Sequence, residues 1–129
     1  MEILNARITD VSLSMRDHGC LTYWLSLKIQ GGAYCNYGGH CIGHGYLGSD
    51  HFDGSPYGLE AMMRIMDVVG VEKWEDLKDK CIRVKSDGWG TIVDEIGNLM
   101  EDKWFNQKQF FAEPNDKIRG ENTSYNREE

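Results

Sequence analysis

Residues 21–29 constrain the fold more than any other part of this sequence. Their odd positions hold Leu, Tyr, Leu, Leu and Ile, while their even positions hold Thr, Trp, Ser and Lys. Because successive side chains of a β-strand point to opposite faces, this run predicts a strand with one apolar and one polar face. Such a strand fits an antiparallel sheet that covers a core on one side and leaves Trp24 on the other.

Further segments carry strand and turn signals. Residues 8–15 and 82–85 alternate apolar and polar side chains, and residues 91–99 do so less regularly. Residues 33–42 predict a third strand, broken or bulged at Gly38 and Gly39. Residues 43–56 contain four glycines among polar residues and predict a loop, and Asp87-Gly88 predicts a turn.

A helix is predicted to begin at Ser55-Pro56, with serine as the cap and proline in the first turn, and to end at Gly70. Its apolar face is predicted to comprise Leu59, Met62, Met63, Met66 and Val69, at helical spacing. A second short helix is predicted at residues 72–79. Trp104, Phe105, Phe110 and Phe111 are expected to complete the core.

This order of elements predicts one α+β domain over residues 1–111, followed by a polar C-terminal tail at residues 112–129. We expect an antiparallel sheet of about five strands, with the main helix between strands 3 and 4. An OB-like barrel has the same order and is the alternative.

Composition narrows the class of protein. The formal net charge is −7, so the acidic chain repels phosphate backbones on average. No apolar run reaches the roughly 18 residues of a membrane span, and the N-terminal residues lack the layout of a secretory signal. We therefore expect a cytoplasmic protein with four reduced cysteines. No known catalytic motif occurs, which predicts a non-enzyme without a cofactor.

Two polar groups are candidate sites in the glycine-rich region. Zinc favours thiolate and imidazole ligands, which makes Cys35, His40, Cys41 and His44 a candidate metal site, although no CxxC pair is present. On a regular strand His40 and His44 would share one face and the two cysteines the other. Asp50, His51 and Asp53 could hold a divalent cation or act as acid and base, but are also common in ordinary loops.

Aromatic side chains give a different candidate. Trp24 on the polar face of its strand, with Tyr34 and Tyr37 on the third strand, could stack the bases of single-stranded DNA. Few positive charges accompany these rings, and the same rings could pack beneath a loop or between two copies of the chain.

Several motifs between residues 58 and 105 carry a resemblance: GLEAMMRIM, VGVEKWEDLK, IRV, IGNL and KWF. This stretch is similar to small, mostly uncharacterised proteins encoded in bacteriophages and prophages. The resemblance implies a phage protein in a bacterial host cell, and small acidic phage proteins act in replication, in recombination or against host defences.

The leading hypothesis is an anti-CRISPR-like inhibitor that contacts a host defence protein or ribonucleoprotein. Its carboxylates would replace nucleic-acid phosphates on a basic surface. The candidate contacts are Asp50, Asp53, Glu72, Glu75, Asp76 and Asp79. The alternatives are a single-stranded DNA-binding accessory protein and a zinc-stabilised structural module.

Overall fold

The alternating run at residues 21–29 is a strand near the middle of a large sheet. The computed structural model describes residues 2–86 and 93–112. Within them the strands are β1 (Glu2–Asp17), β2 (Cys20–Ile29), β3 (Tyr34–Gly45), β4 (Phe52–Gly54), β5 (Cys81–Ser86), β6 (Glu95–Gly97) and β7 (Trp104–Asn106). The helices are α1 (Pro56–Val69), α2 (Gln107–Ala112) and a 3-10 helix (Trp74–Leu77).

The sheet is open and antiparallel, with the order β4-β3-β2-β1-β5-β6-β7 in the described residues. This confirms the α+β class, but the prediction of about five strands is wrong and the OB-like barrel is not formed. The predicted loop at residues 43–56 contains the end of β3 and all of β4, which pair with each other. The aromatic segment contributes β7, which pairs with β6. As a result, α1 follows the fourth strand and not the third.

One face of the sheet packs on the core together with α1. The odd positions of β2, from Tyr23 to Ile29, are buried as the alternation predicts. Ala6 pairs with both Ile29 and Ile82, which extends the same face across β1 to β5. The opposite side, which we call the outer face, carries Trp24 and Lys28 of β2.

The ends of α1 agree with the sequence prediction, whereas its buried face agrees only in part. The Ser55 side chain accepts a hydrogen bond from the Gly58 backbone, and Gly70 adopts the left-handed conformation just after the helix. The residues that α1 buries are instead Gly58, Ala61, Ile65 and Val68. Leu59 and Met63 are 63% and 64% exposed, while Met62, Met66 and Val69 are half-buried beside the core.

The predictions of the second helix and of the last strand are met in part. The predicted helix at residues 72–79 is a four-residue 3-10 helix that buries Leu77. The strand predicted at residues 91–99 is present as β6 alone in the described residues. The predicted turn at Asp87-Gly88 and nearly all of the predicted tail lie outside the described residues.

Candidate functional sites

Four of the predicted contact acids surround one open depression of about 580 Å³ between the end of α1 and the start of β5. The chain reverses here through the 3-10 helix, so residues close in sequence surround a common space. The lining side chains with charge are Glu72, Glu75, Asp76, Lys78, Asp79 and Lys80. With four acids and two lysines, the lining is net acidic.

The ion pairs beside this acidic depression are weak. Lys73 Nζ lies 3.9 Å from Glu75 Oε2, and Arg7 Nη1 donates to Asp79 Oδ1 at 3.1 Å. The four side chains are between 48% and 72% exposed. Water screens such pairs, which typically contribute at most about 1 kcal/mol. The carboxylates can therefore exchange these partners for others at little cost.

The other two predicted acids lie elsewhere. Asp53 is in β4, at the edge of the sheet, whereas the acidic depression adjoins β1 and β5. Its Oδ2 lies 3.0 Å from His51 Nε2, and both side chains are more than 70% exposed. Asp50 is also exposed, in the loop before β4. The six predicted acids thus form two separate groups.

The predicted aromatic set divides between the two faces of the sheet. Trp24 and Tyr34 are 41% and 71% exposed, and Lys28 Nζ lies 5.8 Å from the centre of the Tyr34 ring. Tyr37 is fully buried, so the prediction that it is a binding residue is wrong. Tyr37 pairs with Leu25, which points to the core, so Tyr37 points to the core as well. The bulge that changes the alternation of β3 begins just after Gly38.

Trp104 is a second aromatic residue on the outer face, although the sequence predicted it in the core. Trp104 lies over Gly97, where a Cβ atom would overlap the indole ring. Arg83 and Lys85 flank this ring, each with its charged group 4.6 Å from the ring centre. In the sequence, Arg83 and Lys85 alternate with Ile82 and Val84, which are buried. This alternation indicated that β5 directs its charged side chains to the outer face.

The predicted cysteine and histidine quartet is also divided. Cys35 pairs with the buried Leu27 on the core side, where burial raises the pKa of its thiol. His40 stacks on Phe111 with the ring centres 4.3 Å apart, and burial lowers its pKa. Cys41 and His44 lie on the outer face instead. The four residues therefore do not form one group, and Cys41 and His44 share a face instead of lying on opposite faces as they would on a regular strand.

Cys41 and His44 meet a residue that sequence reasoning left out of the metal set. The Sγ atom of Cys20 lies 3.4 Å from His44 Nε2, and that of Cys41 lies 3.6 Å from the same nitrogen. One ligand atom from each residue lies within 4.8 Å of the others. Cys41 and His44 are exposed and Cys20 is half-buried. We call these three residues the Cys₂His cluster.

Two buried tyrosines connect the sheet to the C-terminal elements. The Tyr23 hydroxyl donates to Gln107 Oε1 at 2.9 Å, and the Tyr37 hydroxyl donates to the Phe105 carbonyl at 3.2 Å. All three side chains, including that of Gln107, are buried. Burial raises the pKa of Tyr23 and of Tyr37 above the ordinary tyrosine value. Their ring and hydroxyl positions indicate a structural role.

Together these features define an α+β domain with an acidic depression, an aromatic outer face and a Cys₂His cluster. No family model, no curated protein and no solved structure matches the chain. Among the described residues, no helix has the length and apolar character needed to cross a bilayer.

Proposed function

We propose that this chain is a phage-encoded, non-catalytic protein that inhibits a host nucleic-acid-targeting defence complex by protein–protein contact. The observation that carries the proposal is the acidic depression, in which Glu72, Glu75, Asp76 and Asp79 surround one open space. The resemblance of residues 58–105 to phage-encoded proteins supports a target in the bacterial host.

The chemistry of the acidic depression favours a basic partner. Clustered carboxylates attract arginine and lysine side chains, and a net acidic lining steers a basic surface toward it. Defence complexes that bind DNA or RNA hold the phosphate backbone in positively charged channels. Docking of the acidic depression on such a channel would exclude the nucleic acid by direct competition. Because the contact is electrostatic, inhibition should weaken as the salt concentration rises.

The test uses purified RNA-guided DNA-binding complexes and a fluorescently labelled target DNA. The wild-type protein should displace the DNA from at least one complex. The double charge reversal Glu75→Lys/Asp76→Lys should raise the inhibitory concentration by about tenfold or more, since a loss of about 1.4 kcal/mol is tenfold in affinity.

A matched control separates the acidic depression from net charge. Glu2→Lys/Asp10→Lys changes the charge by the same amount at two exposed positions of β1, outside the acidic depression. This variant should inhibit nearly as well as wild type. Equal losses in the two double variants would refute docking through the acidic depression. Failure to inhibit any RNA-guided complex would refute the anti-CRISPR-like function.

A single-stranded DNA-binding function is the second candidate, because Trp24 and Tyr34 are exposed on the outer face. Lys28 beside Tyr34 adds a positive charge where a phosphate would lie. Stacking of a base on an aromatic ring is worth about 1–3 kcal/mol, so Trp24→Ala should weaken oligonucleotide binding by about 5- to 150-fold. Fluorescence anisotropy with labelled oligothymidine measures this loss.

Tyr46→Ala, which removes an exposed ring from the loop after β3, is the control. Equal affinities of wild type and Trp24→Ala would exclude stacking on this ring.

A further inference from the structure

The Cys₂His cluster is assembled by irregular pairing between β2 and β3. Thr22 pairs with Cys41, and Cys20 pairs with His44, so a step of two residues in β2 matches a step of three in β3. This is the geometry of a β-bulge. On a regular strand, residues 41 and 44 would point to opposite faces because their separation is odd. The bulge turns both side chains toward Cys20 at the start of β2.

The distances from His44 Nε2 to the two sulfur atoms of the Cys₂His cluster match those of a tetrahedral zinc site. With Zn–S near 2.3 Å and Zn–N near 2.0–2.1 Å, a tetrahedral angle puts sulfur and nitrogen ligands about 3.5–3.6 Å apart. The observed separations from His44 Nε2 are 3.4 Å for Cys20 Sγ and 3.6 Å for Cys41 Sγ. Cys41 Sγ also lies 3.9 Å from His44 Nδ1, so a rotation of the side chains is needed to point Nε2 between the two sulfur atoms. All three ligand atoms lie within 4.8 Å of one another, and after this rotation they can surround a single ion.

The donor types select the ion. Two thiolates and one imidazole are soft to intermediate ligands, which suit zinc and not magnesium or calcium. Binding requires both thiols to lose their protons to solvent, and His44 binds as a neutral imidazole. The two thiolate charges then balance the charge of Zn²⁺. Exposure of Cys41 and His44 leaves the fourth position open to water.

We infer that Cys20, Cys41 and His44 form a zinc-binding site on the outer face of the sheet. Bound zinc joins the first residue of β2 to the end of β3, beside the short edge strand β4. The β2–β3 pairing shifts register twice at this end, and a metal ion bound here holds the two strands together. The site is separate from the acidic depression, so it stands or falls independently of the inhibitor function.

Cobalt substitution tests the site on the full chain. Apo-protein is prepared with a chelator under reducing conditions and titrated with Co²⁺, which takes the same tetrahedral sites as zinc. We expect one equivalent to bind, with thiolate-to-cobalt charge-transfer bands in the near ultraviolet and intense visible bands of tetrahedral cobalt. Zn²⁺ should then bleach both sets of bands. Cys20→Ser, Cys41→Ser and His44→Asn should each weaken binding beyond the roughly 10- to 100-fold typical of an outer-shell substitution.

Cys81→Ser is the matched control, because it removes an exposed thiol of β5 that is absent from the cluster. This variant should retain the cobalt spectrum and the affinity. Absence of charge-transfer bands in the wild-type protein would show that the three groups only form hydrogen bonds, and would overturn the inference. A spectrum that survives Cys20→Ser, or that Cys81→Ser removes, would overturn it as well. Circular dichroism of each apo-variant separates lost ligation from lost folding.

Discussion

Gly58 determines how closely α1 approaches the sheet. It lies in the first turn of α1, and a Cβ atom at this position would overlap the Cβ and Cγ2 atoms of Ile42. The Cβ atom of Ile42 is fixed by the backbone of β3 and cannot move away by a change of side-chain rotamer. Contact of this kind requires glycine on one of the two elements. A single missing side chain thereby selects which face of α1 is buried.

We expect Gly58→Ala to destabilise the protein even though alanine is the better helix former. The helix propensity favours alanine by about 1 kcal/mol, whereas overpacking at a tight contact costs about 1–3 kcal/mol. The free energy of unfolding, measured by urea titration, should therefore fall by up to about 2 kcal/mol.

Met63→Ala is the control in the same helix, because Met63 is largely exposed and its removal leaves no cavity. Its effect should stay within about 0.5 kcal/mol. A Gly58→Ala protein as stable as wild type would show that α1 can move away from Ile42 without loss.

At the level of secondary-structure elements, the sequence predicted α1 by its ends and not by its face. Ser55, Pro56 and Gly70 act through local backbone chemistry, so their signals are complete within a few residues. The buried face depends on what lies opposite. Both the predicted and the observed sets have helical spacing, and the larger side chains made the predicted set look more apolar. Contact of Gly58 with Ile42, a tertiary property, decided between them.

Bulges explain why the metal ligands could be predicted only in part. The Gly38-Gly39 irregularity was predicted from the glycines, and the register does shift between Trp24 and Thr22. Regular pairing continued from Trp24 and Gly38 would place Thr22 opposite His40 and Cys20 opposite Ile42. Two register shifts instead bring Cys20 opposite His44. The second shift has no local sequence signal, so Cys20 could not be recognised as a further candidate ligand before the structure was known.

The length of the short strands limited how far they could be predicted from the sequence. β4, β6 and β7 have three residues each, too few for alternation to be distinguished from chance. β4 and β6 pair with the longer strands β3 and β5, and β7 then pairs with β6. β3 extends past its predicted end and thereby offers an edge to β4. The acidic depression was easier to predict, because its four acids are close in sequence and the 3-10 helix keeps them together.

For the whole molecule, two buried hydroxyls link elements that are distant along the chain. Tyr23 of β2 donates to Gln107 of α2, and Tyr37 of β3 donates to the carbonyl of Phe105 in β7. Both rings are fully buried beneath the packed side of the sheet. An ionised phenolate would have to stay in this apolar region, which is why desolvation is the largest cause of the raised pKa of each tyrosine. Folding of the domain is thus coupled to the protonation of these two groups.

The sign of this coupling follows from the direction of the pKa shifts. Each tyrosine has a higher pKa in the folded protein than the value of about 10 in the unfolded chain. Its contribution to stability is complete below about pH 10 and is lost as the pH rises toward the folded pKa, since only the unfolded chain then loses the proton. Each tyrosine should lower the free energy of unfolding by up to about 1.4 kcal/mol per pH unit above pH 10.

Urea unfolding followed by tryptophan fluorescence, from about pH 9 to about pH 11.5 with chelator and reductant present, measures this slope. Tyr23→Phe and Tyr37→Phe should each remove about half of the alkaline slope attributed to the pair. Each should also lower stability at neutral pH, because Gln107 or the Phe105 carbonyl loses a donor.

Tyr46→Phe removes an exposed hydroxyl and should leave the slope unchanged. The comparison uses slopes and not absolute stabilities, so a general loss of stability cannot imitate the expected result. If Tyr23→Phe and Tyr37→Phe both kept the wild-type slope, ionisation of the buried tyrosines would not be coupled to folding.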